Sequence, residues 1–233
     1  MRLGFLLVSI GFVGVHVLEA GARDRVQKPP MSRSITIVAM GDSTTAGTPG
    51  WKSRVEAPPK GAGDETSQYA HWLMGAHPEW NVVNQGVNGE RSDEILARFD
   101  RDVVGLAPAA VVIIAGVNDV YQGRSARQVI EQLTTMYERA KQKGIPIVAG
   151  TIIPYNTATP DQNARMREIN EWIRQNAADD PGIEFVDTRR AAAATEDPDR
   201  LFESPDGLHP SPAGYRRMAE AIKPILERVL NAK

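Results

Sequence analysis

The sequence predicts an α/β fold: a three-layer α/β/α sandwich of the flavodoxin-like kind, built on a five-stranded parallel sheet. Two observations predict it. Short β-branched runs alternate with longer segments of helical periodicity along residues 35–233, and such alternation implies parallel strands joined by right-handed crossovers. Each short run is also apolar at successive positions, as a strand covered by helices on both faces must be.

The strands are expected at ITIVAM (35–40), NVVN (81–84), AVVIIAG (110–116), IPIVAGTI (145–152) and IEFVD (183–187). Between them, 67–76 places Tyr69, Trp72 and Leu73 on one helical face, and 92–104 does the same with Ile95, Leu96 and Phe99. The segment 125–143 carries Val129, Leu133, Met136 and Tyr137, while 161–177 follows Pro160 and carries Met166, Ile169 and Ile173. The last helix, 212–230, opens with Pro212 in its first turn, where a missing N–H costs nothing. The longest irregular stretch is 48–68, rich in Gly and Pro and interrupted by Trp51 and Arg54. It follows the first strand and so belongs to the carboxyl edge of the sheet, where open α/β folds place their ligands. Trp51 and Arg54 are therefore candidate substrate-binding residues.

Composition narrows the function classes. The chain has 233 residues, 42% hydrophobic and 24% charged, enough for one sizeable core. A formal net charge of -2 offers no basic face for nucleic acid and no polybasic segment for an anionic membrane. There is no cysteine, which excludes thiol catalysis and Cys-ligated zinc. The opening residues show Arg2, an apolar run from Leu3 to Leu18, and Ala20-Gly21-Ala22, the pattern of a secretory signal peptide cleaved after Ala22. The run falls short of the ~20 apolar residues of a spanning helix. The expected organisation is a signal peptide at 1–22, a linker at 23–34 and one domain at 35–233, with a secreted or periplasmic location and no stable membrane anchor after cleavage.

Three strand ends deliver polar residues to one edge: Gly41-Asp42-Ser43, then Asn84 to Gly89, then Gly116-Val117-Asn118-Asp119. Ser43 can cap the following helix or serve as a nucleophile, and the second role needs a base and oxyanion donors. Of the four histidines, His16 lies in the signal peptide, and His71 and His77 sit on or just after a helix. His209 differs, lying in Ser-Pro-Asp-Gly-Leu-His-Pro with Asp206 three residues upstream. In a loop that spacing lets the carboxylate reach Nδ1 and leaves Nε2 free as base, although an Asx-type turn at Asp206 fits the same residues. Asp187, at the end of the fifth strand, is a rival orienter; the local loop favours Asp206. Asn118 offers a neutral amide donor and Gly89 an unobstructed backbone N–H, and both also suit plain turns.

Taken in order, Gly41-Asp42-Ser43, Gly89 within NQGVNGERS, Gly116-Val117-Asn118-Asp119 and Asp206-Gly207-Leu208-His209-Pro210 resemble the four blocks of the SGNH hydrolase superfamily, the GDSL lipases and esterases. The resemblance implies Ser43 as nucleophile, His209 as base, Asp206 as its orienter, and an oxyanion hole from the Ser43 and Gly89 N–H groups with the Asn118 side chain. It implies no metal and no organic cofactor. Thr44 stands where the family's short name expects Leu. The expected activity is hydrolysis of carboxylic esters with short acyl or O-acetyl groups, the partner being a small-molecule or glycan ester. A carbohydrate O-acetyl esterase, a lysophospholipase or thioesterase-type activity, or a non-catalytic glycan-binding module on the same fold, are the alternatives.

Overall fold

The computed structural model describes Met1 and residues 34–232. Apart from Met1, the expected signal peptide lies outside the described residues, as does the linker up to residue 33.

Five parallel strands form the main sheet: β1 (Ile35–Gly41), β4 (Trp80–Gly86), β5 (Ala110–Ile114), β6 (Ile147–Gly150) and β7 (Ile183–Val186), in the order β4-β1-β5-β6-β7. The chain winds outward from β1 in both directions. The topological switch point therefore falls between β1 and β5, which are in register from Ile37↔Ala110 to Gly41↔Ile114. Side chains alternate across the sheet as the two-residue period requires: Val38 and Met40 enter one core, Ile37 and Ala39 the other.

The first core is closed by α3 (Ser92–Ala97), α4 (Phe99–Asp102), α6 (Ala126–Gln142) and α7 (Pro160–Asp179), which contribute Ile95, Phe99, Leu133 and Ile169. The second is closed by α2 (Tyr69–Ala76) and α9 (Pro212–Asn231), with Leu73 facing Tyr215, Met218 and Ile222. Helix starts follow local chemistry. Ser125 and Gln128 form a capping box on α6, Thr159 and Gln162 another on α7 ahead of Pro160. Among the described residues, no helix is long and apolar enough to cross a membrane.

The predicted sheet and layers are those observed, with differences at the edges. β4 runs from Trp80 to Gly86, three residues longer than expected, because Asn84 and Gln85 are buried in spite of their polarity. The expected helix at 92–104 is broken at Arg98, whose backbone (φ -105, ψ 3) leaves the helical region while its side chain turns inward. Three short helices follow strand ends directly: α1 (Ser43–Ala46), α5 (Val117–Tyr121) and α8 (Thr188–Ala192). The long loop also contains a two-residue hairpin, β2 (Trp51–Lys52) against β3 (Ala62–Gly63).

Candidate active site

Gly41 ends β1 where α1 folds back over the sheet. A Cβ there would lie 2.2 Å from the Ile114 carbonyl oxygen and 2.3 Å from Thr45 Oγ1, so the close approach of helix and strand needs glycine. Asp42, not Ser43, caps α1: its Oδ1 accepts from Thr44 N at 2.9 Å. Ser43 is thus relieved of the capping role that its sequence context also allowed. It is nearly buried, at 4% exposure, and its side of α1 faces a cleft of about 160 Å³ shared with Asn118 and His209. The other Asp42 oxygen is buried without a partner among the described residues. Burial, opposed by the Thr44 bonds and reinforced by Asp119 and Glu90, pushes the Asp42 carboxyl up to about 7.

His209 stands on the loop before α9. Its Nδ1 meets Asp206 Oδ2 at 2.7 Å, while Asp206 Oδ1 accepts the backbone N–H groups of Leu208 and His209, each at 2.9 Å. The turn and the orienting carboxylate are therefore one arrangement rather than alternatives. Burial raises the Asp206 pKa, but His209 and the two backbone donors outweigh it and hold the carboxyl below its ordinary range. An ionised Asp206 can accept from Nδ1–H, the arrangement in which Nε2 is the nitrogen left to act as base, and His209 borders the cleft. Ser204 Oγ donates to the His209 carbonyl at 2.6 Å, and Asn156 N donates to the Gly207 carbonyl at 2.7 Å, tying the loop to the segment after β6.

The rivals are occupied elsewhere. Asp187 caps α8 through Arg190 N at 2.9 Å. His77 stacks on Trp80 at 3.8 Å and bridges Glu79 and Glu227, both at 2.8 Å. His71 lies edge-on to Trp72 near Glu65.

Asn118 is the second residue of α5, and its Nδ2 donates to the Glu90 carbonyl at 2.9 Å, which orients the amide and, among the described residues, leaves its second hydrogen unbonded. Gly89 has φ +80, a conformation that requires glycine, although a Cβ would meet no protein atom within 4 Å. Three devices that the sequence did not reveal hold this turn. Glu56 Oε1 accepts Asn88 N at 3.0 Å, so the long loop braces the turn from outside. Asp119, fully buried, accepts both Ser92 N and Ser92 Oγ at 2.8 Å, joining the starts of α3 and α5. Arg98 donates to Glu90 Oε2 at 2.7 Å, to the Gln85 carbonyl at 2.8 Å, and to the Gly41 carbonyl and Asp102 at 2.9 Å each. It thereby clamps the ends of β1 and β4 to the segment that holds Asn118. In the sequence, Arg98 is one arginine among many on a helical face, and nothing local marks it as buried.

Trp51 and Arg54 are displaced from their expected place. Neither borders the Ser43 cleft; both line a separate depression with Gln68, His71 and Met74. Trp51 is 8% exposed, and its ring covers Gly61, so most of it packs within the β2–β3 hairpin, away from the Ser43 cleft. Tyr121, Tyr155 and Leu208 border the cleft instead.

Residues 39–217 match the model of the GDSL-like Lipase/Acylhydrolase family, more than half the chain and all of the strand ends just described. The chain belongs to that family. This GDSL-family protein is accordingly a carboxylic ester hydrolase. It is 29% identical over 165 residues to an acetylxylan esterase of Geobacillus stearothermophilus, a match covering 64% of this chain and 74% of that one. It is 23% identical over 154 residues to the human platelet-activating factor acetylhydrolase IB subunit alpha1, covering 64% of this chain and 65% of that relative. Its fold superposes with a TM-score of 0.67 on a lipolytic protein of the G-D-S-L family from Desulfitobacterium hafniense, at 26% identity over 84% of this chain and 99% of the other.

Proposed function

We propose that this GDSL esterase cleaves esters of short acyl groups, acetyl foremost, through an acyl-enzyme on Ser43. The observation that carries the reading is the small cleft of about 160 Å³ on which Ser43, Asn118 and His209 converge, with Asp206 bonded behind the histidine. Sites for drug-sized ligands usually measure ~300–1,000 Å³, so this one suits a small acyl group better than a long chain. The two relatives named for their substrates both act on acetyl esters, as an acetylxylan esterase and an acetylhydrolase.

His209 Nε2 takes the Ser43 hydroxyl proton as Oγ attacks the ester carbonyl. The oxyanion meets the backbone N–H groups of Ser43 and Gly89 and the free Asn118 amide hydrogen. His209 returns the proton to the leaving alcohol, and a water then attacks the acyl-serine by the same path, releasing the acid and restoring Ser43. Asp206 stays ionised throughout and steadies the imidazolium. Export to the periplasm or medium, after cleavage behind Ala22, is part of the proposal and rests on the residue pattern of 1–22.

Ser43→Ala should lower turnover of p-nitrophenyl acetate by at least about 10⁴-fold with the fold retained. Retained activity, or a chain-length optimum beyond butyrate in the unsubstituted protein, would contradict the assignment. Intact mass of exported material beginning at Arg23 checks the cleavage.

A further inference from the structure

A second depression, of about 700 Å³, lies beside the turn that follows β7 and shares no residue with the Ser43 cleft. Four arginines from three helices border it: Arg167 of α7, Arg189 and Arg190 of α8, and Arg217 of α9. Two carboxylates, Asp187 and Asp199, border it as well, which leaves a formal surplus of two positive charges. The chain's net charge of -2 averages over this patch, so composition alone conceals it.

The carboxylates are unequally shared. Asp199 accepts from Arg167 Nη1 on both oxygens, at 2.6 and 2.8 Å, and from Arg189 Nη2 at 2.7 Å, so two guanidinium groups divide one negative charge. Arg189 is 8% exposed and also donates to Asn163 Oδ1 at 2.9 Å. Burial, assisted by repulsion from Arg167, outweighs the pull of Asp199 and lowers the Arg189 pKa. Asp187 accepts from Arg190 N and Thr151 Oγ1. Among the described residues, no carboxylate pairs with the side chain of Arg190 or Arg217; Arg217 is held instead over the Phe202 ring, 4.4 Å from its centroid. We propose that this depression binds a dianionic phosphoryl group, with Arg190 and Arg217 supplying the forks that no carboxylate occupies. Guanidinium forks match phosphate oxygens, and a phosphate monoester carries about -1.5 to -2 at neutral pH, close to the local surplus. A single carboxylate would balance only half of it. The wall is built in advance: Ala193 bridges Leu201, Phe202 N donates to the Ala192 carbonyl at 2.8 Å, and Leu201 N donates to Asn156 Oδ1 at 2.9 Å. The volume exceeds that of a bare ion and leaves room for the organic part of an ester. The site stands independently of the esterase reading.

Calorimetric titration of the full chain, at about pH 8 and constant ionic strength, takes phenyl phosphate, inorganic phosphate and the monoanion benzenesulfonate as probes. Phenyl phosphate should bind saturably and at least roughly tenfold tighter than benzenesulfonate, and Arg190→Gln and Arg217→Gln should each weaken it roughly tenfold, the worth of one lost charge-assisted bond. Tighter binding of phenyl phosphate than of inorganic phosphate identifies an ester as the source, and the reverse identifies the free ion; either supports the site. Arg127→Gln, at an 86% exposed side chain on α6, should leave affinity unchanged, and so should Ser43→Ala. The Arg190 side chain has no partner to lose, so Arg190→Gln decides if Arg217→Gln fails to fold. Absence of saturable binding, equal affinity for benzenesulfonate, unchanged affinity in Arg190→Gln, or loss of binding in Ser43→Ala would overturn the site.

Discussion

Replacing Arg98 by Met tests whether the clamp between strand ends holds this site together. The substitution keeps an unbranched apolar stem of similar reach and removes every guanidinium donor. Arg98 is 8% exposed and makes four short bonds, two to carboxylates and two to the carbonyls that end β1 and β4. Removing one partner of a buried ion pair costs ~3–5 kcal/mol, because the other charge stays behind. Asp102 keeps Arg101, at 2.6 Å, and the Glu90 side chain is 20% exposed and can be partly hydrated, so the lower end applies, about 3 kcal/mol. For a domain of this size that is roughly a 6–12 °C fall in Tm. Burial already raises the Glu90 pKa against the pull of Arg98, and without the guanidinium it rises further. The folded state then holds a proton that the unfolded chain releases, so the destabilisation should grow as pH rises from 5 to 8. Urea unfolding at both pH values measures it, and kcat on p-nitrophenyl acetate should fall as well, since the Glu90 carbonyl holds the Asn118 amide. A loss below 1 kcal/mol, or one independent of pH, would refute the clamp.

Two further outcomes follow from the same geometry. If Asn118 is an oxyanion donor, as proposed, Asn118→Ala should lower kcat by ~10²- to 10³-fold with little change in KM, since such a donor acts mainly in the transition state; steady-state kinetics reads the split. Asp42→Asn keeps an oxygen to cap α1 and removes a buried carboxyl whose pKa burial has raised from 3.8 to about 7. In the unsubstituted protein that group favours the native state less and less as pH climbs through this window, so Asp42→Asn should gain stability relative to it between pH 5 and pH 8; equal denaturant midpoints at both values would count against the raised pKa.

Legibility in the sequence tracked how local each feature is. The Asp206/His209 pair could be read from a three-residue spacing because both ends of the bond lie in one turn. The cap on α1 could be only half read, since Asp42 and Ser43 are both good caps and only backbone geometry assigns the role to Asp42. The helix expected over 92–104 is broken at Arg98, where bonds to Glu90 and to the Gln85 and Gly41 carbonyls override a good helix former. Trp51 and Tyr121 mark the plainest limit. Both are aromatics near the carboxyl edge of the sheet, and the sequence preferred the tryptophan because it sits in the longest loop. The hairpin of Trp51 with Gly63 turns that loop into a packed structure, and a tyrosine on a five-residue helix is left at the surface instead.

By itself the sequence determined the main strands and helices in their chain order and the family blocks, because hydrophobic period and turn chemistry are properties of neighbours along the chain. The tertiary structure alone decided which side chains border the cleft and which groups hold its turns. Those outcomes depend on contacts between residues such as Glu56 and Asn88, Ser92 and Asp119, or Arg98 and Gly41, whose separations of 32, 27 and 57 positions leave no periodic trace.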